Sequence, residues 1–270
     1  MRFSWKIILI AIFLLSCGKE EGDVLSLPSG DTEDTTTTPF LVLNSQDANH
    51  RGFAVYTLDG TFVSQTNFRA EAATPRGLVA LDNDSVLMSV DTTDSIYQVG
   101  LDGTRTLFHG SAQFNGNIYD TVIGQNGNVY VVESNRIEVF DSTGVRLGSS
   151  LIDTTTGGCT LSNPRGMTLN ASGQLVVVNQ GGADNVLTYD ISGTTATCVS
   201  SVAFGNNPYG ILLHSDGNLY ITTQGDDRIY RADPDGSNAV AIWSTDTTLI
   251  NNPTGIVELE NGDLLIASSA

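Results

Sequence analysis

Apolar and polar residues alternate with a period of two along much of the chain, in short runs separated by turn residues. The stretch 207–222, NPYGILLHSDGNLYIT, shows the pattern: a Pro-led apolar run, an Asp-Gly turn and a second apolar run. A period of two is typical of β-strands, and Gly217 can take the positive φ that a tight hairpin turn needs. The stretch therefore predicts a β-hairpin.

The same hairpin recurs along the chain. Copies start at residues 75, 118, 164, 208 and 253, which are 43, 46, 44 and 45 residues apart, and all but the weaker copy at Ile118 begin with Pro-x-Gly. After each pair of strands come a third apolar segment near a second Gly and a fourth short segment. Four strands in about 45 residues is the spacing of a β-propeller blade. Such sheets repeat because neighbours packed around an axis cover each other's apolar faces.

The two ends of the repeat region are incomplete. Residues 40–74 lack the innermost strand, and residues 253–270 supply only two strands. We therefore predict an all-β fold, a β-propeller of four-stranded blades, of the six-bladed type with an incomplete last blade. The alternative is a five-bladed ring closed by pairing of the two termini, since open sheet edges favour aggregation.

The Pro-x-Gly, Gly-x-Leu-Tyr-Ile and Arg-Ile-Tyr motifs resemble those of the NHL-repeat propellers. The wider relatives of that group include gluconolactonase-like, strictosidine-synthase-like and virginiamycin-lyase-like proteins. The resemblance covers about residues 40–270 and implies the fold more than a function, because such propellers have many roles.

The resemblance also provides a comparison for catalytic chemistry. Gluconolactonase-like relatives hold a metal with a Glu-Gly-Pro-type motif, which is absent from this sequence. Virginiamycin-lyase relatives use a His near the channel, and none of His50, His109 and His214 lies at a matching place. We therefore predict no cofactor. No motif supports a divalent metal, which stays an open alternative.

The first 17 residues read as a lipoprotein signal peptide. Arg2 and Lys6 precede a nine-residue apolar run, which is too short to span a bilayer. The run ends in Leu-Leu-Ser-Cys-Gly, which resembles a bacterial lipobox and implies lipidation of Cys17. We therefore expect the membrane to be a partner through this lipid.

The mature chain would then have two parts. Residues 18–38 are acidic and rich in Thr, which predicts a disordered tether, and residues 39–270 form the propeller. We expect localisation in the cell envelope, at the outer membrane, facing the periplasm or the exterior.

The charge of the chain excludes one class of partner. Lys and Arg number 12 against 30 Asp and Glu, a net charge of −18, so the surface repels nucleic acid. We expect a monomer. In an oxidising compartment Cys159 and Cys198 could form a disulfide, and two buried unpaired thiols are the alternative.

The Pro-x-Gly turns supply the candidate binding site. Radial packing of the blades would bring the residues beside each Pro together near one mouth of the central channel, where loops on a rigid scaffold commonly bind ligands. The candidate residues at this mouth are Arg76, Arg165, Tyr209, Asn163, Asn207 and Asn252.

These residues favour a binding or scaffolding module for a protein or a small ligand. The alternative is a metal-dependent lactonase- or lyase-type hydrolytic enzyme with its site in the central channel. The sequence identifies no catalytic residue, so we favour the binding module over the enzyme.

Overall fold

The computed structural model describes residues 9–12, 39–44, 52–57, 62–67, 74–82, 84–243, 250–259 and 261–268. In these ranges the chain forms twenty-one β-strands and three short 3₁₀ helices, Asp91–Thr93, Ser111–Gln113 and Thr156–Gly158. None of the helices in these ranges has the length and apolar character that a membrane span requires.

The strands of the described ranges form six sheets, and each sheet is built from consecutive strands. The first two sheets contain β1 (Leu9–Ile12), β2 (Pro39–Asn44), β3 (Gly52–Thr57) and β4 (Phe62–Asn67), then β5 (Pro75–Ala80), β6 (Ser85–Val90), β7 (Ser95–Gly100) and β8 (Arg105–His109). The third and fourth contain β9 (Ile118–Ile123), β10 (Val129–Glu133) and β11 (Arg136–Phe140), then β12 (Pro164–Leu169), β13 (Leu175–Asn179), β14 (Asn185–Ser192) and β15 (Thr195–Ala203). The last two contain β16 (Pro208–Leu213), β17 (Leu219–Thr223), β18 (Arg228–Ala232) and β19 (Val240–Trp243), then β20 (Pro253–Glu258) and β21 (Leu264–Ser268).

The sheets are arranged around an axis. The first strand of each sheet contacts the first strand of the next, in the order β5, β9, β12, β16 and β20. Burial follows the same radial order: the second strands β6, β10 and β13 are buried at every position, whereas the outer strand β15 alternates between exposed and half-buried positions. The predicted all-β propeller of four-stranded sheets is confirmed, and the number of blades stays a prediction.

Each Pro-x-Gly turn forms a β-bulge in an inner strand. In β5, Pro75 pairs with Val90 but Leu78 pairs with Met88, so one extra residue lies between the two pairs. The same shift occurs after Pro164, Pro208 and Pro253. A bulge changes the direction of the side chains that follow it, so the residue after Pro departs from the alternation of the strand.

The glycines of three Pro-x-Gly turns, Gly77, Gly166 and Gly210, permit close packing of neighbouring inner strands. A Cβ atom added to Gly166 would lie 2.6 Å from the carbonyl oxygen of Tyr209, and one added to Gly210 would overlap the carbonyl oxygen of Thr254. At Gly77 the added Cβ would lie 2.7 Å from the Cα of Asp120. The inner strands therefore approach backbone to backbone, and only glycine fits at these contacts.

The third sheet differs from the prediction of four strands. After β11 the chain forms only isolated bridges, which pair Phe140 with Arg146 and Ile137 with Ile152. Both backbone and side-chain hydrogen bonds hold this segment: Leu147 N–H donates to the Val139 carbonyl oxygen, and the buried Glu138 accepts from Arg146 Nε at 2.8 Å and from Ser150 Oγ at 2.8 Å. The carboxylate thus anchors the outer segment where backbone pairing is incomplete.

The first sheet also differs from expectation. The innermost position, predicted to be empty, is occupied by Leu9–Ile12 from the predicted signal peptide, which pairs in parallel with β2. The sheet of β2 to β4 and the sheet of β20 and β21 are separate, so the described strands do not show pairing of the two terminal pieces. Cys17, the predicted tether and His50 lie outside the described residues.

A disulfide joins Cys159 and Cys198, whose Cα atoms are 5.7 Å apart. Cys198 lies on the outer strand β15, and Cys159 directly follows the 3₁₀ helix Thr156–Gly158. The bond therefore ties the segment that leads into the fourth sheet to the outer edge of the same sheet.

Candidate functional site

A cavity of about 330 Å³ lies where the inner strands of five sheets meet. This volume is at the lower end of the range for small-molecule sites in proteins. The apolar residues that line it include Leu78, Val79, Val122, Met167, Ile211, Leu212, Ile256 and Val257.

The polar part of the wall comes mainly from one position of the repeat, the residue after Pro or its equivalent. We call these five residues the axial ring: Arg76, Tyr119, Arg165, Tyr209 and Thr254, all of which line the cavity. Because the bulge displaces this position from the strand alternation, each sheet contributes one side chain to the axis without losing a core residue.

Arg165 is held by two tyrosine rings and one neutral amide. Its guanidinium carbon lies 4.0 Å from the ring centroid of Tyr119 and 5.8 Å from that of Tyr209, within the range of cation–π contacts. Its Nε donates to Oε1 of the neutral Gln180 at 2.8 Å. Within the described ranges, no carboxylate forms an ion pair with Arg165, so its charge is fixed in place but not neutralised.

Arg76 is held differently. Its Nε and Nη2 donate to Oδ2 of the buried Asp91, at 3.0 and 2.8 Å. A guanidinium carries five N–H donors, so this contact orients Arg76 and leaves further donors available. The charge of Arg76 is thus partly compensated by Asp91, whereas Arg165 has no carboxylate partner in the described ranges.

Thr254 adds an unsatisfied polar atom to the axial ring. Only 6% of Thr254 is exposed, and no group of the described ranges forms a hydrogen bond with its Oγ1. Buried hydroxyl groups are almost always hydrogen-bonded in native proteins.

Asp120 lines the same cavity from the position that glycine holds in the other four copies. Its Oδ2 accepts the N–H of Met167 on β12 at 2.8 Å, and its Oδ1 accepts the N–H of Thr121 at 2.8 Å. Its remaining exposure is to the cavity. Burial raises the pKa of Asp120 to about 7, against the opposing effect of these two hydrogen bonds. The side chain is therefore able to exchange a proton near neutral pH.

The three predicted asparagines lie at junctions between sheets. Asn163, Asn207 and Asn252 have φ values of 57°, 50° and 51°, a left-handed conformation that Asn tolerates better than most residues. Their N–H groups donate to side chains of the preceding sheet, namely Asn135 at 3.1 Å, Asp184 at 3.4 Å and Asp227 at 2.6 Å. This junction role accounts for their recurrence, and a part in ligand binding stays a prediction.

A second polar group of the wall, Glu258, lies at the other end of the inner strands. Its Oε2 accepts the N–H of Ser215 at 2.8 Å, and its Oε1 lies 3.3 Å from His214 Nε2. His214 Nε2 also lies 3.0 Å from the carbonyl oxygen of Gly262. Burial opposes protonation of His214, but the Gly262 carbonyl and the nearby carboxylates outweigh it and raise its pKa. The cluster joins the fifth sheet to the sixth.

The remaining candidates for metal chemistry do not converge. His109 ends β8, where its ring packs 4.4 Å from the centroid of Phe140 and its Nδ1 lies 2.9 Å from the Gly144 carbonyl oxygen. In the described ranges, no three His, Cys, Asp or Glu side chains form a group that could hold a metal ion.

The structure brings together Arg76, Arg165 and Tyr209, which the sequence had singled out, and adds residues that it had not. Tyr119 could have been found, because it follows the start of the weaker copy as Arg76 follows Pro75. Asp120 could have been found as the departure from glycine at the next position. Nothing in the repeat pattern marks Glu258, because its contacts depend on the packing of two sheets.

The sequence matches no family model and no curated protein sequence. Solved structures share its fold at low identity. Virginiamycin B lyase from Staphylococcus aureus is 17% identical over 82% of this chain and 72% of that chain, with a TM-score of 0.63. A putative gluconolactonase is 12% identical over 83% and 80%, with a TM-score of 0.64. A chain of the nidogen/laminin complex is 18% identical over 77% and 79%, with a TM-score of 0.59. These likenesses establish a β-propeller.

Proposed function

We propose that this protein is a binding module that takes a small organic anion into its axial cavity. The observation that carries the proposal is the convergence of two arginines and two tyrosines from four successive sheets on one cavity of about 330 Å³. A guanidinium recognises a carboxylate or phosphate through paired N–H donors, and a tyrosine face packs against an apolar body. The apolar wall would cover the rest of the ligand.

The structure of the site favours a small ligand over a protein segment. A cavity of this volume holds a molecule of about the size of a single amino acid or aromatic acid. Arg165 is fixed between tyrosine rings and bonded to Gln180 before any ligand arrives, so little side-chain entropy is lost on binding. We propose that a protein partner, if one exists, uses another surface.

We also propose that the protein works in the cell envelope, anchored by a lipid on Cys17. The leader pattern of residues 1–17 supports this, because its apolar run is short and ends at the lipobox-like cysteine. The Cys159–Cys198 disulfide is in keeping with an oxidising compartment.

The binding proposal is tested with 3-phenylpropanoate and its neutral analogue 3-phenylpropanamide by isothermal titration calorimetry. We expect the wild type to bind the anion and not the amide, because only the anion can pair with the arginines. The double variant Arg76→Glu with Arg165→Glu should lose the anion, whereas Arg105→Glu, the same change on the exposed outer strand β8, should keep it. Equal binding of anion and amide, or anion binding by a folded double variant, would refute the proposal.

An enzyme that acts in the same cavity is the second candidate. The observation that favours it is Asp120, because a carboxyl with a pKa of about 7 suits proton transfer at neutral pH. Two of the similar folds are a virginiamycin B lyase and a putative gluconolactonase. Incubation with virginiamycin B or gluconolactone, with and without added divalent metal, tests this candidate. Turnover that is lost in Asp120→Asn would support it.

A further inference from the structure

We infer that the ligand of the axial cavity is a zwitterion of the amino-acid class, whose cationic nitrogen binds Asp120 while its anionic group binds the arginines of the axial ring. The anionic half of this inference rests on the proposed function. The cationic half rests on the position and contacts of Asp120, which the binding of a simple anion does not use.

Asp120 occupies a position of the repeat at which the other four copies have glycine. The equivalent residues Gly77, Gly166, Gly210 and Gly255 bring no side chain to the cavity. The Asp120 carboxylate reaches to β12, where it accepts the N–H of Met167 at 2.8 Å, and it lies beside Gly77 of β5. The third sheet thus places one carboxylate between two neighbouring inner strands.

The carboxylate of Asp120 lacks a counter-charge in the described part of the chain. Arg76 pairs with Asp91, and Arg165 bonds to Gln180, so neither arginine is committed to Asp120. A carboxylate in a desolvated wall is unfavourable unless a cation or several hydrogen bonds stabilise it. The raised pKa of Asp120 has burial as its largest cause and agrees with this lack of compensation.

Asp120 also retains acceptor capacity. Each of its oxygens accepts one backbone N–H group, and a carboxylate oxygen has room for two hydrogen bonds. An ammonium group carries three N–H donors and a positive charge. It would therefore supply both the missing counter-charge and a further hydrogen bond to Asp120. A hydroxyl would satisfy only the hydrogen bond, which is why we assign an amine.

Strand β9 places the carboxylate of Asp120 next to the residue that contacts Arg165. The strand is irregular at its start, where Ile118 pairs with Glu133 and Asp120 with Val132, so one extra residue, Tyr119, lies between these pairs. This bulge lets consecutive residues line the same cavity. Tyr119 stacks on Arg165 at 4.0 Å, and Asp120 is the next residue of the strand, so β9 contributes to the wall both a contact with a cation of the axial ring and a carboxylate.

The test compares L-phenylalanine with 3-phenylpropanoate, which has the same skeleton without the α-amine, by calorimetric titration at about pH 8, above the pKa of Asp120. We expect the wild type to bind phenylalanine about tenfold more tightly, or better, because a charge-assisted hydrogen bond forms away from bulk water. Asp120→Asn should lose this preference and still bind 3-phenylpropanoate. Asp102→Asn, in an exposed turn outside the cavity, is the matched control and should keep the preference.

A second variant separates misfolding from loss of the amine site. Asp120→Gly restores the residue of the other four copies, so we expect it to fold and to bind the two ligands equally. Wild-type binding of 3-phenylpropanoate without a preference for phenylalanine would overturn the amine site alone. Retention of the preference by folded Asp120→Asn or Asp120→Gly would overturn it as well. If neither ligand binds the wild type, both the anion site and the amine site are wrong.

Discussion

The close approach of the inner strands predicts that Gly166→Ala destabilises the protein. The added Cβ would lie 2.6 Å from the Tyr209 carbonyl oxygen and 3.3 Å from the amide nitrogen of Ile211. A carbon–oxygen contact normally needs more than 3 Å, so β12 and β16 would have to separate by several tenths of an ångström. Overpacking of this kind costs about 1–3 kcal/mol, and since the clash is with backbone we expect about 2 kcal/mol.

The assay is urea unfolding of wild type and variant, with thermal unfolding as a second measurement. A loss of about 2 kcal/mol should lower the melting temperature by about 4–8 °C in a domain of this size, with an unchanged m-value. The matched control is Gly110→Ala, because Gly110 has an extended backbone and its added Cβ would meet only Leu107 Cδ2 at 3.6 Å. A Gly166→Ala variant as stable as Gly110→Ala would refute backbone-to-backbone packing at the axis.

Three further predictions concern the titration of the cavity, the disulfide and the anchor. The pKa of Asp120 is higher in the folded state than its ordinary value of 3.8, so the stability it contributes is present at low pH and is lost as the pH rises towards about 7. Asp120→Asn should therefore gain stability relative to wild type between about pH 4 and 7, and a constant difference in urea titrations across that range would contradict the burial of this carboxyl. Reduction of the Cys159–Cys198 bond, which spans 39 residues, should cost about 4 kcal/mol on the loop-entropy model, whereas an unchanged unfolding curve after dithiothreitol, with free thiols verified, would show that the bond contributes nothing. Cys17→Ser should release the protein from the membrane fraction and abolish incorporation of labelled fatty acid, and persistence of both would exclude the lipid anchor.

The inner strands could be predicted from sequence because their signals are local. The five predicted starts of the repeat are the first residues of β5, β9, β12, β16 and β20. Pro fixes φ and Gly permits positive φ wherever they occur, and the period-two alternation records which side of a strand is covered. The fold class followed from repetition of these local signals and is confirmed.

The outer parts and the site chemistry could be predicted only in part. The isolated bridges that replace a fourth strand in the third sheet are accompanied by the contact of the buried Glu138 with Arg146, which no local pattern records. The stacking of Tyr119 on Arg165 joins residues of two sheets and becomes visible only when the sheets are packed. Arg76 and Arg165 were found because their position in the repeat is fixed, not because their partners could be foreseen.

In the Pro-x-Gly turns, the glycine and the residue before it have different roles. This difference explains why the fold of this protein does not determine its ligand. Glycine makes the backbone contact between inner strands, as the overlap that a side chain at Gly210 would make with Thr254 demonstrates. The preceding residue lies at the bulge and is Arg, Tyr or Thr in different copies, all of which keep the same pairing of the inner strand. The solved structures share this fold at 12–18% identity, and a shared fold does not by itself determine a ligand. In this chain the second copy, which forms the third sheet, is the exception, because Asp120 occupies the position at which the other four copies have glycine. We therefore expect the specific chemistry of the cavity to depend on Asp120.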